Sequence, residues 1–336
     1  MTCGPFADCE NATEIIFDNI DTSELETMLG MFLFCESLTS LDLSNIDTSS
    51  AAAMDYMFCS CSSLTSLDLS KFDTSKVTSM ASMFEGCDGL TSINVSSFNT
   101  ANVTTMEKMF RECDGLTSIN VSSFNTANVT TMEGMFYKCS SLTGLNISNF
   151  NTSSVTTMKD MFHTCSSLTS LDLSNFNTSN VTVMCRMFYE CTGLTGVNVS
   201  SFDTSNVTDF GSLFYSCSAL TSVDLSSFNT SSATSLSSMF DGCSLLTVLD
   251  LTSFSFTNVN SVPHMFDGCT KLTTIYVASD TDLSGLSTSG STSMFLNCTS
   301  LVGANGTTYN SSYTDGSYAR VDAEGTPGYF SVKTVE

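Results

Sequence analysis

Apolar residues return along this chain with a fixed period of 26 residues. A Met-Phe pair stands at Met31-Phe32, Met57-Phe58, Met83-Phe84 and Met109-Phe110 and recurs as far as Met294-Phe295, with Leu213-Phe214 as the one variant. After each pair comes a cysteine, then an apolar triplet: Leu38, Leu41, Leu43; Leu64, Leu67, Leu69; Leu90, Ile93, Val95. A further aromatic column runs Phe72, Phe98, Phe124, Phe150, Phe176, Phe202, Phe228, Phe254. Leu-x-x-Leu-x-Leu ends in period-2 alternation and predicts a short strand with one buried face. The Ser-Asn/Ser-Phe-Asn/Asp-Thr-Ser stretch that follows is turn chemistry. Met80, Met83 and Phe84 stand at i, i+3 and i+4, which predicts one helical or 3-10 turn. A 26-residue unit is too small to bury its own apolar face, so it must stack on its neighbours. The expected fold is a β-rich repeat solenoid with one short parallel strand, turns and a short helical or 3-10 turn per coil. Some eleven coils at a spacing of about 4.8 Å would make a rod on the order of 50 Å long.

The period also marks the boundaries. Residues 1–22 read as a degraded N-terminal coil: Phe6 and Cys9 are in phase, Ile15 and Phe17 replace the leucines, and Ala12 stands where later coils have Leu38 or Leu64. Residues 23–301 are the solenoid proper. Residues 302–336 lose the period, are rich in Tyr and Gly, and read as a C-terminal cap, the whole forming a single structural domain. An end coil without a polar cover exposes strand edge and core. Self-association through Phe6, Ile15 and Phe17 is the expectation there. Asp88 to Glu107 and Asp114 to Glu133 are identical over 20 positions, as expected if one unit was copied.

Charge narrows the function. The chain has 10 Lys+Arg against 34 Asp+Glu, a net charge of −24. Such a surface repels nucleic-acid phosphates and anionic membranes, so nucleic acid is not an expected partner. No segment reaches the roughly 18 apolar residues of a membrane span. Met1 to Glu14 shows no basic region followed by an apolar stretch, so no secretory signal is expected in it.

The cysteines form the longest series. Cys9, Cys35, Cys61, Cys87, Cys113, Cys139, Cys165, Cys191, Cys217, Cys243 and Cys269 are 26 apart, and Cys298 follows after 29. Disulfides, a metal site and a core ladder are the three readings. Neighbouring rungs lie about 4.8 Å apart, wider than disulfide geometry asks. A metal would need ligands converging on a point, not strung along a line. A reduced, buried ladder is therefore the expectation, with Cys3 and Cys185, outside the series, as the exposed thiols. His163 and His264 stand far apart with no shared partner in the sequence. No Gly-x-Ser-x-Gly, phosphate loop or dinucleotide fingerprint occurs.

The candidate binding residues are polar positions between the buried leucines: Asp42, Asp68, Asn94, Asn120, Asn146, Asp172, Asn198, Asp224 and Asp250. A second series, from Asp21, Asp47 and Asp73 through Asn99, Asn125, Asn151, Asn177 and Asp203 to Asn229, lies behind the aromatic column. Neighbouring aspartates such as Asp42 and Asp68 repel unless hydrated or bridged, and calcium is chemically reasonable there, although no Asp-x-Asp-x-Asp loop is present. Sequons such as Asn102-Val-Thr104 and Asn128-Val-Thr130 recur with the repeat, their glycosylation conditional on a secretory eukaryotic host.

The unit Cys165 to Phe176, Cys-Ser-Ser-Leu-Thr-Ser-Leu-Asp-Leu-Ser-Asn-Phe, followed by Asn177 to Thr182 and Met187-Phe188, resembles the BspA-family leucine-rich repeat surface proteins. Leu301 to Tyr309, Tyr318 to Asp322 and Pro327 to Phe330 resemble that family's terminal unit. The resemblance implies a leucine-rich-repeat-like solenoid, extracellular or displayed on a cell surface, with adhesive or interaction roles for some members. The expected function is a non-enzymatic scaffold for adhesion or for binding a protein or glycan through the polar strand face. A structural rod assembling end to end through the N-terminal coil is the alternative. Ice binding is a further one, disfavoured because no clean Thr-x-Thr strand is present.

Overall fold

The computed structural model describes residues 4–17 and 20–333. The chain divides into two compact units, Met1–Leu168 and Thr169–Glu336. Both are stacks of 26-residue coils with the Met, Phe, Cys and Leu columns inside. The architecture is a leucine-rich-repeat-like solenoid with parallel coil-to-coil pairing and almost no helix.

In the first unit the coils are joined by a run of parallel bridges through Thr27, Ala53, Ser79, Thr105, Thr131 and Thr157. Its phenylalanines form one column, Phe32, Phe58, Phe84, Phe110, Phe136 and Phe162, with centroids 5.4–5.9 Å apart and planes within 10°. Offset stacking of this kind adds to the area each ring buries. The leucine segments are extended but form no regular strand among the described residues of this unit. The coil-to-coil amide bond there is long, as in Thr117 N–H to Thr91 O at 3.2 Å.

The second unit holds the regular strands. β1 (Ser170–Asp172) pairs in parallel with β2 (Gly196–Asn198). β3 (Val248–Asp250), β4 (Thr274–Val277) and β5 (Phe330–Val332) form a second parallel sheet. Here the equivalent amide bonds shorten to 2.9 Å, as in Thr195 N–H to Thr169 O. The one long interval, between Cys269 and Cys298, accommodates α1 (Thr288–Ser291), capped by the Ser287 hydroxyl. β5 brings Tyr329 and Phe330 edge-on against Phe295, at 71° and 65°. Both are fully buried and end the parallel ring stack of this unit. Around them, buried Asp322 accepts the amides of Asn305, Thr307 and Gly328 and the Thr307 hydroxyl. Burial raises the Asp322 pKa, but these bonds outweigh it and hold the carboxyl below its ordinary value.

The expected helical turn at the Met-Phe pair is a different structure. Its amides do bond three residues back: Met83 to Met80, Glu85 to Ser82, Cys87 to Phe84. Yet Ser82 and Gly86 have φ of 54° and 71°, which breaks any helix into overlapping turns. The reason is intercoil bonding. Ser82, Phe84 and Gly86 aim their amides at Glu107, Met109 and Arg111 of the next coil, at 2.8–3.0 Å. Amides alternate between their own turn and the next coil, an alternation a helix cannot supply. Residues other than Gly meet the left-handed requirement at a cost of about 1–2 kcal/mol each, including Lys108 and Arg186.

Buried thiols complete this corner. Cys87 Sγ donates to Phe58 O, Cys113 to Phe84 O and Cys139 to Phe110 O, each at 3.1 Å. Phe84 O also accepts the Cys87 amide, so both its lone pairs are used. Burial pushes the Cys87, Cys113, Cys139, Cys217 and Cys269 thiols well above their ordinary pKa. The expectation of a buried core ladder matches this geometry. Cys185 is half-buried; Cys3 lies outside the described residues.

Candidate interaction surface

The leucine face presents Asp42, Asp68, Asn94, Asn120, Asn146, Asp172, Asn198 and Asp224 exposed and Asp250 half-buried. Each turns one side-chain oxygen onto the amide two residues ahead, as Asp42 to Ser44, Asn94 to Ser96 and Asp224 to Ser226. This Asx turn ends the extended segment and bends the chain toward the aromatic column. Amide and hydroxyl bonds from Ser44, Ser70, Ser174 and Ser226 hold the Asp42, Asp68, Asp172 and Asp224 carboxyls below their ordinary pKa. The second oxygen is available to cations, and one ladder residue uses it so: Lys333 Nζ lies 2.7 Å from Asp250 Oδ2. Residues of the second series do the same locally, Asp47 to Ser49 and Asn125 to Ala127.

The threonine between these turns is a feature that sequence reasoning missed. Thr22, Thr48, Thr74, Thr100 and Thr126 in the first unit, and Thr178, Thr204 and Thr230 in the second, are almost completely buried. Thr126 Oγ1 accepts the Asn151 amide at 2.8 Å and donates to the Asn151 carbonyl at 2.9 Å. One hydroxyl thus satisfies both backbone groups of a residue in the next coil. The recurrence of this threonine from Thr22 to Thr230 was the available signal. The sequon asparagines also join coil to coil. Asn102 and Asn128 donate their side-chain amides to Ser75 O and Ala101 O of the preceding coil at 2.8 Å.

At the N-terminal coil one expectation is corrected. Phe17 is buried, not exposed, and packs edge-on against Phe6 at 5.3 Å. Phe6 and Ile15 are half-buried. Ile16 is the exposed residue, at 71%, because alternation along an extended segment turns Ile15 and Phe17 inward together and Ile16 out. Ile15, Ile16 and Phe17 line a groove of about 550 Å³ with Leu41, Asp42 and Asp68. The structure thus brings self-association and ladder candidates together at one place.

The Met-Phe turn carries the chain's diversity. Two residues before the cysteine, successive coils of the first unit have Leu33, Cys59, Glu85, Arg111, Tyr137 and His163. Arg111 pairs with Glu85 at 3.5 Å and Glu112 at 3.2 Å and lies over the Tyr137 ring at 4.6 Å. Tyr137 stacks on His163 at 4.3 Å. Lys108, Lys138 and Lys159 flank this ridge in ion pairs with Glu107, Glu112 and Glu133. Its N-terminal end is apolar, a groove of about 400 Å³ lined by Leu29, Leu33, Phe34, Tyr56 and Cys59. Phe34 is 40% exposed and has a φ of 60°. In the second unit the same position holds Tyr189 and Tyr215, stacked at 4.4 Å, then Asp241 and Asp267. His264, which has no visible partner in the sequence, has one here: Asp267, with Nδ1 3.1 Å from Oδ2.

A family described as "Mycoplasma protein of unknown function, DUF285" matches residues 3–120, 112–197 and 194–304. No curated protein matches the chain. Among solved structures, a leucine rich cell surface protein from Faecalibacterium prausnitzii is similar at 18% identity, over 81% of this chain and 73% of that one, with a TM-score of 0.34. A leucine-rich repeat protein from Eubacterium ventriosum is similar at 16% identity, over 71% and 79%, with a TM-score of 0.29. The functional domain of InlJ from Listeria monocytogenes, described as including a cysteine ladder, is similar at 15% identity, over 78% and 68%, with a TM-score of 0.17. Among the described residues no helix is long and apolar enough to cross a membrane.

Proposed function

The chain belongs to the family described as Mycoplasma protein of unknown function, DUF285, and on that footing we propose that it is a non-enzymatic repeat scaffold that binds a protein partner through its Met-Phe turn ridge. One observation carries this reading. Core, threonine and Asx positions repeat from coil to coil, whereas the ridge changes residue at every coil of the first unit from Leu33 to His163. A stack that needs only a turn there has no structural use for that variety. The residues are those that anchor protein interfaces: Arg, Tyr and an exposed Phe beside an apolar groove. Arg111, Tyr137 and His163 are held by one another, so little side-chain freedom is lost on binding.

A protein fits better than a glycan at this ridge, because the stacked faces of Tyr137 and His163 are turned to each other. The strand-face ladder from Asp42 to Asp250 supports a second reading, a contact for basic side chains or calcium. Its support is the ammonium of Lys333 on Asp250. The resemblance to BspA-type proteins supports adhesion at a cell surface, and self-association at Ile15 and Ile16 would add avidity. Crosslinking of immobilised chain in its native environment tests the ridge. Y137A and F34A together should abolish capture of a partner that N120A retains. The reverse pattern moves the function to the strand face.

A further inference from the structure

Two successive coils of the second unit replace the ridge aromatic with aspartate. Tyr189 and Tyr215 can stack at coil spacing, but two carboxylates in the same relation repel. Into this place His264 comes from the positive-φ position three residues before Asp267. One donor atom each from Asp241, His264 and Asp267 lies within 4.8 Å of the others. All three side chains are neither fully buried nor fully exposed. Two further features prepare the cluster. Asn297 Nδ2 donates to Asp267 Oδ1 at 3.2 Å, which orients that carboxylate and leaves Oδ2 toward the histidine. Gly242 and Gly268 stand immediately after the two aspartates, where Tyr189 and Tyr215 are followed by Glu190 and Ser216. No side chain at those positions covers the carboxylates.

We propose that Asp241, His264 and Asp267 form a binding site for a divalent transition-metal ion of the zinc class, bridging two adjacent coils with water completing the shell. An imidazole beside two carboxylates suits zinc, cobalt or nickel, whereas calcium and magnesium take oxygen alone. Tetrahedral zinc places its donors about 3.3 Å apart, given bond lengths near 2.0 Å. Closing from 4.8 Å asks only for rotation of three partly exposed side chains. The ion neutralises a pair that otherwise relies on one imidazole.

Titration calorimetry of the full chain with zinc chloride and with calcium chloride tests this, alongside cobalt(II) absorption. The expected result is one saturable zinc site at neutral pH, weakened about tenfold or more in D241N and in H264N, with calcium much weaker. Cobalt should give d–d bands without a thiolate charge-transfer band, which separates this site from the cysteines. Asparagine tolerates the positive φ at 264, and D241N relieves repulsion, so neither variant should melt below the parent without metal. No saturable zinc binding, a thiolate band, calcium binding as tight as zinc, or unchanged affinity in the two folded variants would overturn the site.

Discussion

The leucine face and the Met-Phe turn belong to the same coil and use their side chains in opposite ways. On the leucine face the backbone cannot satisfy itself. Asp or Asn must catch the amide two residues on, and a buried threonine must bridge the amide and carbonyl of the next coil. Those positions are therefore held nearly constant from coil to coil. At the Met-Phe turn the backbone is self-sufficient, alternate amides bonding within the turn and to the next coil. Side-chain identity is released there, and Glu85, Arg111 and Tyr137 can differ. Where the main chain completes its own hydrogen bonding, a repeat can diversify its surface without a cost in stability.

Substitutions sharpen this contrast. The largest effect is expected beneath both faces: F110A removes a ring from the centre of the first unit's stack and should destabilise by about 3–5 kcal/mol, read by urea unfolding. T126V keeps the volume but leaves the amide and carbonyl of Asn151 unpaired, and should cost about 1–3 kcal/mol in the same experiment. N120A loses one exposed Asx bond and should cost about 0.5–1.5 kcal/mol. Y137A, on the ridge, should stay within about 0.5 kcal/mol of the parent. Equal costs for N120A and Y137A would erase the contrast.

Thiol chemistry probes the same difference without mutation. Native chain treated with a water-soluble maleimide should react at Cys185, half-buried on the turn side of its coil, well before Cys87, Cys113 or Cys139. Those three are buried, with thiols pushed far from ionisation. Labelling of the buried three at the rate of Cys185, followed by peptide mapping, would mean that the coils open readily.

A further expected effect is in pH. Asp42, Asp47, Asp68 and Asp73 are held below their ordinary pKa by bonds from Ser44, Ser49, Ser70 and Ser75. Their folded pKa lies below the unfolded value of about 3.9, so their contribution is present above that pH and is lost as pH falls through the folded values. Asp241 runs the other way. Its folded pKa of about 6 lies above the unfolded one, so the folded chain binds the extra proton and stability declines as pH rises from about 4 through 6. Melting temperatures of the metal-free chain should fall below about pH 4, and D241N should remove the decline between 4 and 6. An unchanged profile in D241N would show that Asp241 titrates alike in both states.

Much of the solenoid was legible because its causes repeat. The columns of Met83, Phe84, Cys87 and Leu90 are visible as period and apolar character, and they are the core. Turn residues such as Asn94 and Asp68 were recognised by position, but their engagement with Ser96 and Ser70 makes them turn formers as well as surface groups. The helical reading of Met80 to Phe84 failed for an identifiable reason. Spacing at i, i+3 and i+4 reports which side chains face the core, and successive tight turns with positive φ at Ser82 and Gly86 satisfy it as well as a helix does. At the N-terminal coil the alternation placed Ile15 and Phe17 on the inward side, but Phe17 was expected to stay partly exposed for want of a cover, and its packing against Phe6 and Phe32 buries it.

By itself the sequence determined the repeat length, the core columns, the burial of the cysteines and the acidic surface, since each depends on residue type and period alone. Tertiary structure decided what depends on residues about one coil apart. The Thr126 bridge to Asn151, the Arg111–Tyr137–His163 stack and the partner of Asp241 in the next coil exist only once one coil lies on another. Local pattern carries which side a residue faces. It does not carry which residue waits there, because that is set by the hydrogen-bond register between coils.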